Sequence, residues 1–208
     1  MSASRNKILK KALFLFSEYG PRTTTMDDVA ASSGVSKKTL YKYFENKADL
    51  IETLYHRLIN HVEVKIRQVL DQANDAVAEF LNVSKLILKF SAFFPPAVIR
   101  QLKQDNVEVY SELRLFRTQF LPVILSYNIE RGKGCGLYKE DVNSNIIAHL
   151  SLNQLMAYNK DITLLGHQHS GKDVQQQLVA CLLYGITTHQ GEDLATQHLN
   201  QYSTTVQV

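Results

Sequence analysis

Apolar side chains recur at intervals of three and four along most of the chain, the period of helices with one face turned to a core. Ile8, Ala12, Leu13, Phe16 and Tyr19 mark the first such face, and Gly20-Pro21 ends it. Leu50, Ile51, Leu54, Tyr55, Leu58, Ile59, Val62, Ile66 and Val69 mark a much longer helix, with Asn46 as its cap and Asp49 three residues on. A further helix is expected from about Ala76 to Phe94, stopped by Pro95-Pro96, and Pro96 is suited to open the next short one. Val109, Leu113, Phe116, Phe120, Ile124 and Tyr127 predict another long helix that Pro122 should kink or break. The segment "RGKGCG" (131–136) reads as a loop. Helices follow at roughly 141–159 and 173–188, with "GHQHSG" (166–171) between them, and a short last helix from about Glu192 to Leu199. Neither strand alternation nor a repeat appears. The expectation is an all-α protein: short, tightly connected helices up to Lys47, then a long helical bundle.

Composition narrows the class. The chain has 208 residues, and 45% of them are apolar, enough for a substantial core. Two cysteines, Cys135 and Cys181, make no disulfide framework, which favours a reducing compartment. The early apolar stretch "ALFLF" is followed by Ser17-Glu18 and falls short of the about 7–15 residues of a signal-peptide core. No apolar run approaches the ~18 residues of a membrane span. A soluble cytoplasmic protein with no membrane partner is expected. Charge is unevenly spread: residues 1–47 carry nine Lys/Arg against four acids, a balance of +5, while the rest carries fourteen against sixteen, or −2. An anionic partner is therefore expected for the first segment only.

Residues 24–43 carry the chemistry. Thr24 or Thr25 can cap a helix with Asp27 or Asp28 three residues on, so the register is open. Val29 and Ala30 face inward, Gly34 sits where a turn needs positive φ, and Val35 fills the angle between two helices. Ser36 caps the second helix and Leu40 anchors it. Lys37, Lys38, Tyr41 and Lys42 then face outward, with Thr39 and Tyr43 beside them. Two helices joined by a short Gly-containing turn form a helix-turn-helix, whose second helix meets base edges in the major groove.

The stretch "TTMDDVAASSGVSKKTLYKYFENKADLI" resembles the DNA-binding domain of TetR/AcrR repressors, through "T-T-M-D-D-V-A", "S-G-V-S", "T-L-Y-K-Y-F" and "N-K-A-D-L". The resemblance implies a three-helix DNA-binding domain over residues 1–47, and a helical ligand-binding and dimerisation domain over 48–208. It implies a homodimer on a palindromic double-stranded DNA operator, released by a small ligand. It assigns base contacts to Lys37, Lys38, Tyr41 and Lys42, and phosphate contacts to Thr25, Thr39, Tyr43 and Lys47, with Ser36 joining the DNA-contacting set at the helix start. "RGKGCGLYKEDVN" and "LLYGITTHQG" resemble, more loosely, the loop before the last two long helices and the end of the dimerisation helix.

Other constellations are weaker. His167 and His169 lack the spacing of a closed zinc site, and "GKGCG" lacks that of a P-loop, so neither metal nor cofactor is expected. Cys135 has Lys133 nearby, and a redox role for it is a minor alternative. Phe90, Phe93, Phe94, Tyr110, Phe116, Phe120 and Tyr127 are either ordinary core or the lining of an effector site with His149 and Asn153 as polar contacts. Such a lining would suit a small apolar or aromatic effector. Val174, Leu178, Leu182 and Ile186 belong to a helix apolar around most of its circumference, as a dimer helix would be, and Gly185 allows close approach there. The runner-up class is a small-molecule-binding or enzymatic helical protein with a vestigial helix-turn-helix. Against it, no catalytic constellation is visible and the second helix keeps its exposed basic and aromatic residues.

Overall fold

A computed structural model describes residues 3–157 and 170–204, with side chains up to residue 200. The chain divides into two compact units, Met1–Glu63 with Ala92–Phe116, and Val64–Ser91 with Arg117–Val208. All named elements among the described residues are helical, and the one β-bridge joins Tyr138 to Thr187. No helix among them is long and apolar enough to cross a membrane.

The first unit contains α1 (Ala3–Tyr19), α2 (Met26–Ser33), α3 (Lys37–Tyr43), the start of α4 (Lys47–Gln72), α6 (Pro96–Asp105) and α7 (Val107–Leu115). Ile8, Ala12 and Phe16 are fully buried on α1, and Leu40 alone is buried on α3. Tyr19, expected on the buried face, is 64% exposed, because the inward stripe of α1 ends at Phe16. Asn46 Oδ1 accepts from the Asp49 amide at 3.0 Å and caps α4 as expected. Arg22 ties the α1–α2 connection to α6: its amide donates to Gln101 Oε1 at 2.8 Å, and its guanidinium lies 3.3 Å from Asp105.

The second unit contains the rest of α4, α5 (Ala76–Ser91), α8 (Leu121–Gly134), α9 (Ser144–Ala157), α10 (Gly171–Ile186) and α11 (His189–Thr204). The single long helix expected around Pro122 is instead α7 and α8 joined by a π-helical segment, Phe116–Phe120. Proline lacks an N–H and its ring clashes with the carbonyl four residues back, so the wider turn absorbs the break. Helix α8 also continues through Arg131–Gly134, which the glycines had marked as loop. Gly132 is there for space: a Cβ would lie 2.1 Å from the Tyr138 ring. The last helix, expected from Glu192 to Leu199, extends over His189–Thr204.

A buried polar cluster locks α5 to α8. Glu79 is fully buried and meets Arg131 at 2.6 Å. Asn128 Nδ2 donates to Glu79 Oε1 at 2.8 Å and to the Ala76 carbonyl at 2.9 Å, and the Tyr138 hydroxyl donates to the same carbonyl at 2.9 Å. Burial, with Glu79 nearby, pushes the Tyr138 phenol well above its ordinary value, so it stays protonated and keeps donating.

Candidate DNA interface

The interface is built on three local devices. Thr25 caps α2: its Oγ1 accepts from the Asp28 amide at 3.1 Å, while Asp28 Oδ2 accepts from the Thr25 amide at 2.8 Å and from its hydroxyl at 2.6 Å. This is a reciprocal capping box, and it settles the register on Thr25 with Asp28. Those hydrogen bonds hold the Asp28 carboxyl below its ordinary value. Thr24 instead is buried and donates to the Gly20 carbonyl at 3.0 Å. Gly34 ends α2 at φ 63°, the left-handed region that a Cβ disfavours. Ser36 then caps α3, its Oγ accepting from the Thr39 amide at 3.1 Å.

With α3 so held, Leu40 is fully buried while Ser36, Lys37, Lys38, Tyr41 and Lys42 are exposed and Thr39 and Tyr43 are half-buried. Tyr41 leaves 51% of its surface open. The alternation follows from a two-turn helix with one anchoring residue: everything off the Leu40 face must project outward. Lys38, Tyr41 and Lys42 thus share one accessible surface with Lys37. Lys37 is not free on it: its Nζ is 2.6 Å from Asp27 Oδ2, and that hydrogen bond raises the lysine above its ordinary value. Thr25 is exposed but spends its hydroxyl on Asp28. Lys47 donates from Nζ to the Arg22 carbonyl at 3.1 Å, and partial burial lowers its pKa. Arg5 lies 5.3 Å above the Phe44 ring just beyond α3.

The geometry is that of a helix-turn-helix presenting a cationic and aromatic face. The family model described as "Bacterial regulatory proteins, tetR family" matches residues 8–54, which span α1 to the first turns of α4. A relative along nearly the whole chain is the HTH-type transcriptional repressor KstR2 of Mycolicibacterium smegmatis, 25% identical over 203 residues, covering 92% of this chain and 94% of that one. Residues 8–54 are thus a DNA-binding domain of the tetR family type. The chain is a DNA-binding transcriptional regulator, and the family is one of regulators rather than enzymes. Among solved structures, a TetR-family regulator from Marinobacter aquaeolei VT8 superposes with a TM-score of 0.73 at 17% identity, covering 97% of this chain and 99% of that one. The ketosteroid transcriptional regulator KstR2 of Mycobacterium tuberculosis gives 0.64 at 17%, covering 91% and 97%. At such identities these two establish the fold.

The residues expected to line an effector site belong to both units. Phe94, Tyr110 and Phe116 fall in the first unit; Phe90, Phe120, Tyr127, His149 and Asn153 fall in the second. Phe90, Phe94 and Phe116 are buried, Phe94 beside Tyr55 with ring centroids 5.1 Å apart. Tyr110 carries Lys103 over its ring, and Phe120 carries Arg67. Tyr127 and His149 both line an open groove of about 560 Å³ between α8 and α9, together with Pro122, Val123 and Asn145. Asn153 is exposed on α9.

On α10, Val174, Leu178 and Leu182 are partly exposed, and Gly185 is exposed with open space where a Cβ would be. Ile186 is buried inside its own protomer instead. His167 and His169 lie outside the described residues. Sequence reasoning missed the Asp27–Lys37 pair, the Arg22–Gln101–Asp105 tie and the Glu79 cluster. The last two join residues dozens of positions apart, and no local pattern marks such pairs.

Proposed function

We propose that the chain is a ligand-responsive repressor acting as a homodimer on a palindromic operator, and that it works in the cytoplasm. The observation that carries the DNA part is the exposed face of α3, with Lys37, Lys38, Tyr41 and Lys42 held outward by the Ser36 cap and the Leu40 anchor. In this reading those four residues meet base edges, while Thr25, Ser36, Thr39, Tyr43 and Lys47 bind or order the phosphate backbone. Residues 1–47 form the DNA-binding part and 48–208 the effector and dimer part. Repression is supported by the name of the full-length KstR2 relative.

Dimerisation through α9 and α10 is supported by apolar surface that a monomer leaves wet. Ile146 is 58% and Leu150 53% exposed on one stripe of α9, and Val174, Leu178 and Leu182 of α10 are part-exposed. The effector is read as small and apolar or aromatic, from the concentration of phenylalanine at positions 90, 93, 94, 116 and 120 among nine in the chain.

Selection of bound duplexes from a random pool tests this directly. The expected product is a palindrome whose half-sites lie about 10–10.5 bp apart, or a multiple, bound by two chains in sedimentation. Recovery of no enriched sequence, or of a single asymmetric half-site bound by one chain, would overturn the proposal.

A further inference from the structure

We infer that Asp27 is a positioning residue for DNA recognition: by holding the Lys37 ammonium it restrains binding to arbitrary sequence. This rests on the reading of α3 as the base-contacting helix. Asp27 lies in the first turn of α2 and reaches across the Gly34 turn to Lys37 in the first turn of α3, with 2.6 Å between Nζ and Oδ2. The two side chains are 57% and 67% exposed, so the contact contributes little to stability. Its consequence falls on what α3 presents to a duplex.

A lysine on a flexible stem at a recognition-helix N-terminus pairs with whichever phosphate is nearest, on any sequence. Such a contact adds affinity without information. With Asp27 attached, Lys37 is nearly neutral at a distance, and the pair approaches DNA as a unit. The carboxylate is repelled by every phosphate. Among base edges, only an amino group such as cytosine N4 satisfies it, as guanine O6 and N7 satisfy the lysine. The pair therefore weakens binding to random duplex more than binding to the operator. Lys38 and Lys42 carry no ion pair among those of the described residues and supply the unrestrained attraction.

The test is a double-mutant cycle with the full chain, using Asp27→Asn, Lys37→Gln and both together. Affinity is measured by fluorescence anisotropy against a random-sequence 30-bp duplex and against the duplex selected from a random pool, over a salt series. Asp27→Asn should raise affinity for the random duplex about threefold and steepen its salt dependence by about one unit, as one more phosphate is neutralised. It should raise operator affinity less, or lower it, so that the specificity ratio falls. In the Lys37→Gln background the same change should shift both duplexes by one common factor and leave the ratio alone. An unchanged ratio for Asp27→Asn in the wild-type background overturns the inference, as does an equal loss of ratio with and without Lys37. If Lys37→Gln alone changes neither affinity, the contact assignment of α3 fails first. If Lys37→Gln weakens operator binding but the cycle is additive, the assignment stands and only the role of Asp27 falls.

Discussion

Lys37 and Lys38 occupy the first turn of α3, where the helix dipole disfavours cations by roughly 0.3–1 kcal/mol each. Asp27 offsets part of that for Lys37, and in the proposed reading the bound duplex offsets the rest. At this scale much was legible. Ser36 and Gly34 announce a cap and a turn by residue type alone, and both take those roles. The choice between Thr24 and Thr25 was not legible, because it depends on which threonine the α1–α2 connection buries. The capping box makes a prediction. Thr25→Ala should lower unfolding stability by about 0.5–2 kcal/mol in urea titrations. The pH dependence has a definite sign. Asp28 in the folded chain titrates below its ordinary 3.8. Its contribution is therefore complete above that value and is lost as pH falls through the lowered one. Acid titration of a Thr25→Ala variant should show a smaller loss over that window than the wild type.

At the scale of elements, α3 is seven residues long and too short to persist alone, so its order depends on Leu40 in the core. Leu40→Ala should cost about 2–5 kcal/mol and remove DNA binding together with the fold of the first unit, read as a lowered melting temperature. The helical period in the apolar positions revealed most elements but misjudged their ends. Glycines 132 and 134 looked like loop, yet α8 runs through both, since Gly132 answers to the Tyr138 ring rather than to a turn. The Glu79–Arg131 pair was invisible because its partners lie on separate helices, and it yields a sharp expectation. Arg131→Ala leaves a carboxylate buried without its cation and should destabilise the protein by about 3–5 kcal/mol. Glu79→Gln combined with Arg131→Met should recover much of that loss in the same melts.

At the scale of the whole molecule, switching requires an effector that binds one conformation better than another. Helix α4 begins at Lys47, shortly after α3 ends, and, at about 1.5 Å per residue, extends roughly 39 Å to Gln72. It belongs to both compact units, which makes it the natural carrier of such a change. Effector residues were the least legible part of the chain. An aromatic-rich stretch does not distinguish packed core from pocket lining, and Phe90, Phe94 and Phe116 are buried while Tyr127 is open. Assembly gives its own expectation: Leu182→Glu on α10 should turn a dimer into a monomer on a sizing column at micromolar concentration, with helicity retained. The central claim is that α3 reads DNA, and one measurement bears on it most directly. It is the equilibrium affinity of a Lys37→Ala/Lys38→Ala variant for the selected operator, taken alongside its melting curve. The account predicts a wild-type melt with operator binding weakened by at least about fivefold, since a bidentate lysine–guanine contact is worth about 1–3 kcal/mol. A variant that melts normally and binds the operator as tightly as the wild type would contradict it.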